Sequence, residues 1–137
     1  MKSSKLLLTA ILGIASISVL ASTEAWTYDS TAKTLSWTDS TGFENVVSNV
    51  SAVGKELTIN GSNGIGNTLL RNADFSVGIE DGYSLVRIGG NSISKNLSIT
   101  NMVLPSTMRY VDWYACCELL NLETLILNEG LVSISDS

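Results

Sequence analysis

The sequence predicts a β-dominated α/β solenoid behind a β-rich amino-terminal region, and three observations carry that prediction. Apolar residues recur at a 23-residue interval towards the carboxyl end, short β-prone runs divided by turn residues fill the remainder, and helix signals are confined to one short stretch. The chain has 137 residues, of which 45% are hydrophobic and only 15% charged. That suits one modest globular domain and argues against a disordered segment.

Residues 1–25 stand apart from the fold. "MKSSK" supplies Lys2 and Lys5, "LLLTAILGIASISVL" is an uncharged run, and small residues follow in "ASTEA". This is the layout of a secretory signal peptide, and about 15 apolar residues fall short of the ~20 needed to span a bilayer. Cleavage after Ala25 uses Thr23 and Ala25 as the small residues; cleavage after Ala21 would use Val19 and Ala21. The first is favoured. The chain is therefore expected to be exported, as a secreted or cell-surface protein, with no transmembrane segment after cleavage. Removing this leader leaves six Lys/Arg (eight less Lys2 and Lys5) and twelve Asp/Glu (thirteen less Glu24), a net charge of about −6. Nucleic acid is a poor partner for this surface, because phosphate binding needs clustered cations and these six are spread singly.

The elements follow in order. "WTYDSTAKTLSW" has two β-prone arms, Trp26–Tyr28 and Thr34–Trp37, around a turn-rich "DSTAK", and "WTYDST" is echoed further on by "WTDST". "FENVVSNVSAV" is compatible with a short helix or a strand. "KELTING" predicts a strand with Leu57 and Ile59 on one face, closed by the loop "GSNGIGN". "FSVGI" and "SLVRI" read as strands with "EDGY" as the turn between them, and "GGNSISKN" as a further loop. The helix candidate is "WYACCELL", residues 113–120.

The interval appears when residues 122–134 are set against 99–111. Ile99 then matches Leu122, Met102 Leu125, Leu104 Leu127, Met108 Leu131 and Val111 Ile134, all apolar, while Asn101/Thr124 and Ser106/Glu129 are polar. A repeat of this length marks units that cannot bury their apolar faces alone. Met102 and Leu104, like Leu125 and Leu127, point to one side of a strand, and Val103 and Ile126 to the other. "WYACCELL" would carry the chain across the far side, with Leu119 reaching inward. Upstream, Val77 and Ile79 have the same internal spacing but stand at a longer interval from Met102 and Leu104.

The residues "MVLPSTMRYV" and "YACCELLNLETLIL" resemble the BspA-like leucine-rich repeats of bacterial surface proteins, over residues 99–137 only. Ile99, Met102, Leu104, Pro105, Met108, Val111 and Ala115 fall on pattern positions. Asp112 stands for the usual glycine, Cys116 for phenylalanine, Leu119 for cysteine, and Asn128 for the proline of the second unit. The resemblance implies an α/β leucine-rich-repeat solenoid with one full unit and a partial second, residues 26–98 forming a β-rich cap. It also implies protein binding or host and matrix adhesion, with Asn101, Val103, Thr124 and Ile126 on the exposed strand face. Trp113, standing where the repeat has a small polar residue, is expected to be exposed and to bind, and Tyr114 to pack inward beside Ala115.

Catalytic signals are sparse. With no histidine, Ser-His-Asp and Cys-His pairs are excluded, along with the commonest zinc ligand. "GSNGIGN" lacks the lysine and hydroxyl of a phosphate loop. Adjacent Glu80 and Asp81 suit a turn better than glycoside hydrolysis, and "DSTAK" and "TDSTG" offer too few oxygens for calcium. Cys116 and Cys117 are neighbours that rarely bridge each other; they read as buried thiols, with no basic group to activate them. The expectation is a non-catalytic binding module with no cofactor or metal and a protein or extracellular-matrix ligand. The alternatives are a secreted carbohydrate-active enzyme or its accessory domain, or an inactive piece of a longer repeat protein. Because "LVSISDS" stops before the next alanine and aromatic, the last unit is expected to self-associate through its open end.

Overall fold

The computed structural model describes residues 23–61, 67 and 69–134. The signal-peptide reading and most of "GSNGIGN" lie outside the described residues. The chain begins as an antiparallel meander of β1 (Thr27–Asp29), β2 (Thr34–Thr38) and β3 (Glu44–Val47). Both turns use an aspartate, which explains the "DST" echo. Asp29 Oδ1 accepts from the N–H of Thr31 and of Ala32, each at 2.9 Å. Asp39 Oδ1 accepts from the Thr41 N–H at 2.9 Å and from the Phe43 N–H at 3.2 Å. A carboxylate that satisfies the N–H groups two or more residues on replaces a backbone turn bond.

"FENVVSNVSAV" resolves as strand. β-Branched valines favour extended backbone, and Asn49, at φ 63°, breaks the run before any helix could form. β4 (Val50–Val53) then pairs antiparallel with β5 (Glu56–Ile59) across Gly54. Leu57 and Ile59 are both fully buried, as their two-residue spacing predicts.

Every later strand pairing is parallel. β6 (Asn72–Asp74), β7 (Ser84–Ile88), β8 (Asn101–Val103), β9 (Tyr110–Val111), β10 (Thr124–Ile126) and β11 (Ser133–Ile134) build two sheets. One runs β10-β8-β6, the other β11-β9-β7-β5-β4. Met102 pairs with Leu125, Ile88 with Val111 and Val111 with Ile134, so each pairing spans the 23-residue interval. The earlier layer is longer. Ala73 pairs with Met102 and Ile59 with Ile88, across the same wider separation that divides Asn72 from Asn101. Ala73, and not Val77, is thus the upstream counterpart of Met102. The inward residues of all three sheets join one core. Its amino-terminal part is aromatic, with Trp26 ring centroids 5.4 Å from Trp37 and 4.9 Å from Phe75.

Asn45 ties the meander to the parallel sheets. Its buried Oδ1 accepts from the N–H of Arg71 (2.9 Å) and of Asn72 (2.8 Å), while Nδ2 donates to Asp39 Oδ2 at 3.0 Å. A buried amide satisfied at both ends stabilises a docking that apolar contact alone would leave free to slide.

Several expectations are overturned. The fold is not an α/β leucine-rich-repeat solenoid: it is a small β-rich domain of three sheets, and no α-helix occurs among the described residues. "FSVGI" and "EDGY" form single 3-10 turns at Phe75–Val77 and Glu80–Gly82. The predicted helix 113–120 is a series of turns, because Tyr114 (φ 56°) and Glu118 (φ 59°) adopt left-handed backbone that no α-helix accommodates. Leu125 and Leu127, expected to be buried, are about half exposed.

Candidate functional site

The four strand residues expected to face a ligand do share a surface. Asn101 pairs with Thr124 and Val103 with Ile126 across β8 and β10, so the four form two rows on the outer side of one sheet. Asn72 extends the first row: Asn101 Nδ2 donates to Asn72 Oδ1 at 2.7 Å. Such a side-chain ladder satisfies amides along the sheet and leaves Asn101 half-buried, whereas Thr124 and Ile126 are exposed.

Trp113 belongs elsewhere, on the turn that leaves β9 in the five-stranded sheet. It is 57% exposed and stacks on Tyr114, ring centroids 4.3 Å apart at 34°. Tyr114 is also exposed, against the expectation that it packs inward; its left-handed backbone turns the ring out to meet Trp113. The turn is held by its backbone. The Asn91 N–H donates to the Tyr114 carbonyl at 3.1 Å and the Ala115 N–H to that of Asp112 at 3.0 Å. Gly90 permits the approach, since a Cβ there would lie 2.8 Å from the Trp113 carbonyl oxygen.

Beside this pair the sheet presents a polar and aromatic row. Arg87 and Tyr110 are register partners on β7 and β9, with the Arg87 guanidinium 4.8 Å from the Tyr110 ring centroid. Arg87 Nε also donates to both carboxylate oxygens of Asp112 at 3.1 Å. Half-exposed ion pairs add at most about 1 kcal/mol of stability, so the effect of this one is chiefly to fix direction. Asp112 anchors the guanidinium beside the ring. Arg109 and Glu56 form a second exposed pair at 3.5 Å near the same edge. The result is a patch of Arg87, Tyr110, Asp112, Trp113 and Tyr114 on one strand end and its turn. Sequence inspection finds the aromatics but misses Arg87, whose only signal is its place one repeat interval before Tyr110.

Among the described residues no reactive centre accompanies the patch. Cys116 packs against Met102, Sγ to Sδ 3.9 Å, and burial, then the neighbouring Cys117 charge, push its thiol up to about 12. A thiol so placed is no nucleophile near neutral pH. Both cysteines are free. Glu80 and Asp81 sit in a 3-10 turn with Asp81 at φ 64°. Among the described residues no three His, Cys, Asp or Glu side chains group as metal ligands, and no helix is long and apolar enough to cross a membrane. Comparison with known proteins finds no family model that matches the chain and no similar curated protein or solved structure.

Proposed function

We propose that this chain is a non-catalytic binding module, exported by its amino-terminal signal and carrying a protein ligand, such as an extracellular-matrix protein, on its outer surface. The observation that carries the reading is the composition and exposure of the Arg87–Tyr110–Asp112–Trp113–Tyr114 patch. Tryptophan, tyrosine and arginine are the residues that dominate binding energy at protein interfaces. Here they are exposed together and held in place by a backbone-anchored turn and an ion pair, which lowers the entropy lost when a partner docks. The strand face of Asn101, Val103, Thr124 and Ile126 offers a second, more polar contact surface. Kinship with the BspA-like surface repeats is proposed on the motif residues from Ile99 to Ala115 and on the 23-residue pairing offset, as a repeat unit apart from the α/β fold first expected of it.

The test is solid-phase binding of the exported protein to a panel of purified extracellular-matrix proteins, alongside Trp113→Ala and Tyr114→Ala. Both side chains are exposed, so both variants should fold. The expected result is saturable binding by the parent and loss of tenfold or more in affinity in each variant, about 1.4 kcal/mol or more. Retention on insoluble polysaccharide with none on the protein panel would move the assignment to the carbohydrate-accessory alternative.

A further inference from the structure

The hydrogen-bonding groups left over in the aromatic patch are nearly all donors. Arg87 reaches Asp112 through Nε, at 3.1 Å to each carboxylate oxygen. Among the described residues nothing accepts from its two terminal amino groups, and the side chain is 46% exposed. The Trp113 indole N–H and the hydroxyls of Tyr110 and Tyr114 likewise have no hydrogen-bond partner among the described residues, and all three rings are exposed. Guanidinium and indole can only donate, whereas a phenol can also accept. Asp112 is the one carboxylate of the patch. Arg87 engages both its oxygens and cancels its charge. The complementary surface is therefore apolar, uncharged and edged with carbonyl oxygens, and it brings few N–H groups of its own.

We propose that the patch holds a single-chain, proline-rich segment of its protein partner in the polyproline II conformation. This rests on the protein-binding reading above and names the segment bound. Proline has no backbone N–H to satisfy. The polyproline II helix makes no internal hydrogen bonds, so its carbonyls are free to meet the Arg87 and Trp113 donors. Its rings suit aromatic faces, and because the helix is preformed it loses little entropy on docking. Rival ligands fit less well. An ordinary extended peptide brings one N–H per residue, and the two tyrosine hydroxyls are the only side-chain acceptors of the patch not already engaged. Each hydroxyl of a neutral sugar donates as well as accepts, and Asp112 is taken. An acidic segment meets a neutralised Arg87 on a chain of net negative charge. A collagen-type triple helix turns part of its backbone towards its own axis, so it offers fewer carbonyls than a single chain. Contact with one such segment is small, which places it in the weak, transient class.

The test is fluorescence anisotropy of a dye-labelled proline decamer, titrated with the full exported chain from about 1 micromolar to about 1 millimolar, a range that covers weak binding. The expected result is saturable binding of the proline decamer and none of a glycine–serine decamer of equal length. Trp113→Phe keeps an aromatic face and loses the indole N–H, and Arg87→Lys keeps the charge and loses the fork. Each should weaken binding about three- to tenfold, as the loss of one hydrogen bond does. Val53→Lys, an exposed residue of β4 at the far edge of the same sheet, should leave it unchanged. All three variants should keep the parent's near-ultraviolet circular dichroism. Equal binding of the two decamers overturns the proposal. So does preference for a triple-helical peptide or a neutral oligosaccharide, or parent-like binding by both Trp113→Phe and Arg87→Lys. Binding to the matrix-protein panel that requires Trp113, without binding to the proline decamer, overturns this inference alone. Binding to neither overturns the protein-binding reading beneath it as well.

Discussion

Asp39 closes its turn with both carboxylate oxygens, taking hydrogen bonds from Thr41 and Phe43 on one and from Asn45 on the other. Burial raises this carboxyl, but the Thr41 and Asn45 side-chain bonds and the Thr41 and Phe43 backbone bonds together outweigh it and hold it below its ordinary 3.8. The depressed group binds its proton less readily folded than unfolded. Its contribution is therefore present above about pH 4 and is lost as pH falls through that region. Asp39→Ala is expected to cost about 1–3 kcal/mol near neutral pH, the range for removing the partner of buried groups; Asn45 Nδ2 would keep only its 3.4 Å contacts with the Trp37 and Phe43 carbonyls. Urea denaturation of parent and variant near pH 7 and near pH 3 measures the gap, which should narrow at the lower value; a gap independent of pH would remove Asp39 from the account. The aspartates of both "DST" turns are legible locally, since each acts on its near neighbours in the chain. Asn45 is not, because its partners Arg71 and Asn72 lie 26 and 27 residues away.

At the level of elements, the interval read from apolar residues is the register in which β8 meets β10 and β9 meets β11. Burial does not follow the interval alone. Met102→Asp would place an unpaired carboxylate inside the core and is expected to cost more than about 4 kcal/mol or prevent folding. Leu127→Asp, at a half-exposed position, should stay within about 1 kcal/mol. Chemical denaturation midpoints compare the two directly, and equal losses would mean that the outer layer is covered in solution by a contact the monomer lacks. Conformation between the strands was less legible still. "WYACCELL" has helix-compatible spacing, but its backbone bonds go sideways to the previous layer, Cys117 C=O accepting from Lys95 and Ala115 C=O from Ile93. Two left-handed residues then cost less than forgoing those partners.

For the whole molecule, one core cluster runs from Trp26 to Ala115 and is shared by all three sheets. Because no apolar boundary divides the meander from the parallel layers, unfolding is expected to be a single cooperative transition. Tryptophan fluorescence, whose change on unfolding is dominated by the buried Trp26 and Trp37 because Trp113 is already exposed, and far-ultraviolet circular dichroism, which reports all strands, should give coincident curves with no helical signature. Separate midpoints would divide the chain into two units. By itself the sequence determined the β-rich composition, the turn aspartates, the 23-residue offset and the buried face of strands such as β5, where Leu57 and Ile59 turn inward, since all are properties of neighbouring residues and of alternating side-chain direction. It also singled out Trp113 as an exposed aromatic, as it is. Only the tertiary structure decided that the return segment is turns and not helix, that Arg87 meets Asp112 and Tyr110, and that Leu125 and Leu127 are half exposed. The physical reason is common to all three: hydrogen-bond partners, ion pairs and burial depend on which distant backbone is brought alongside, and a local pattern specifies direction without specifying what stands there.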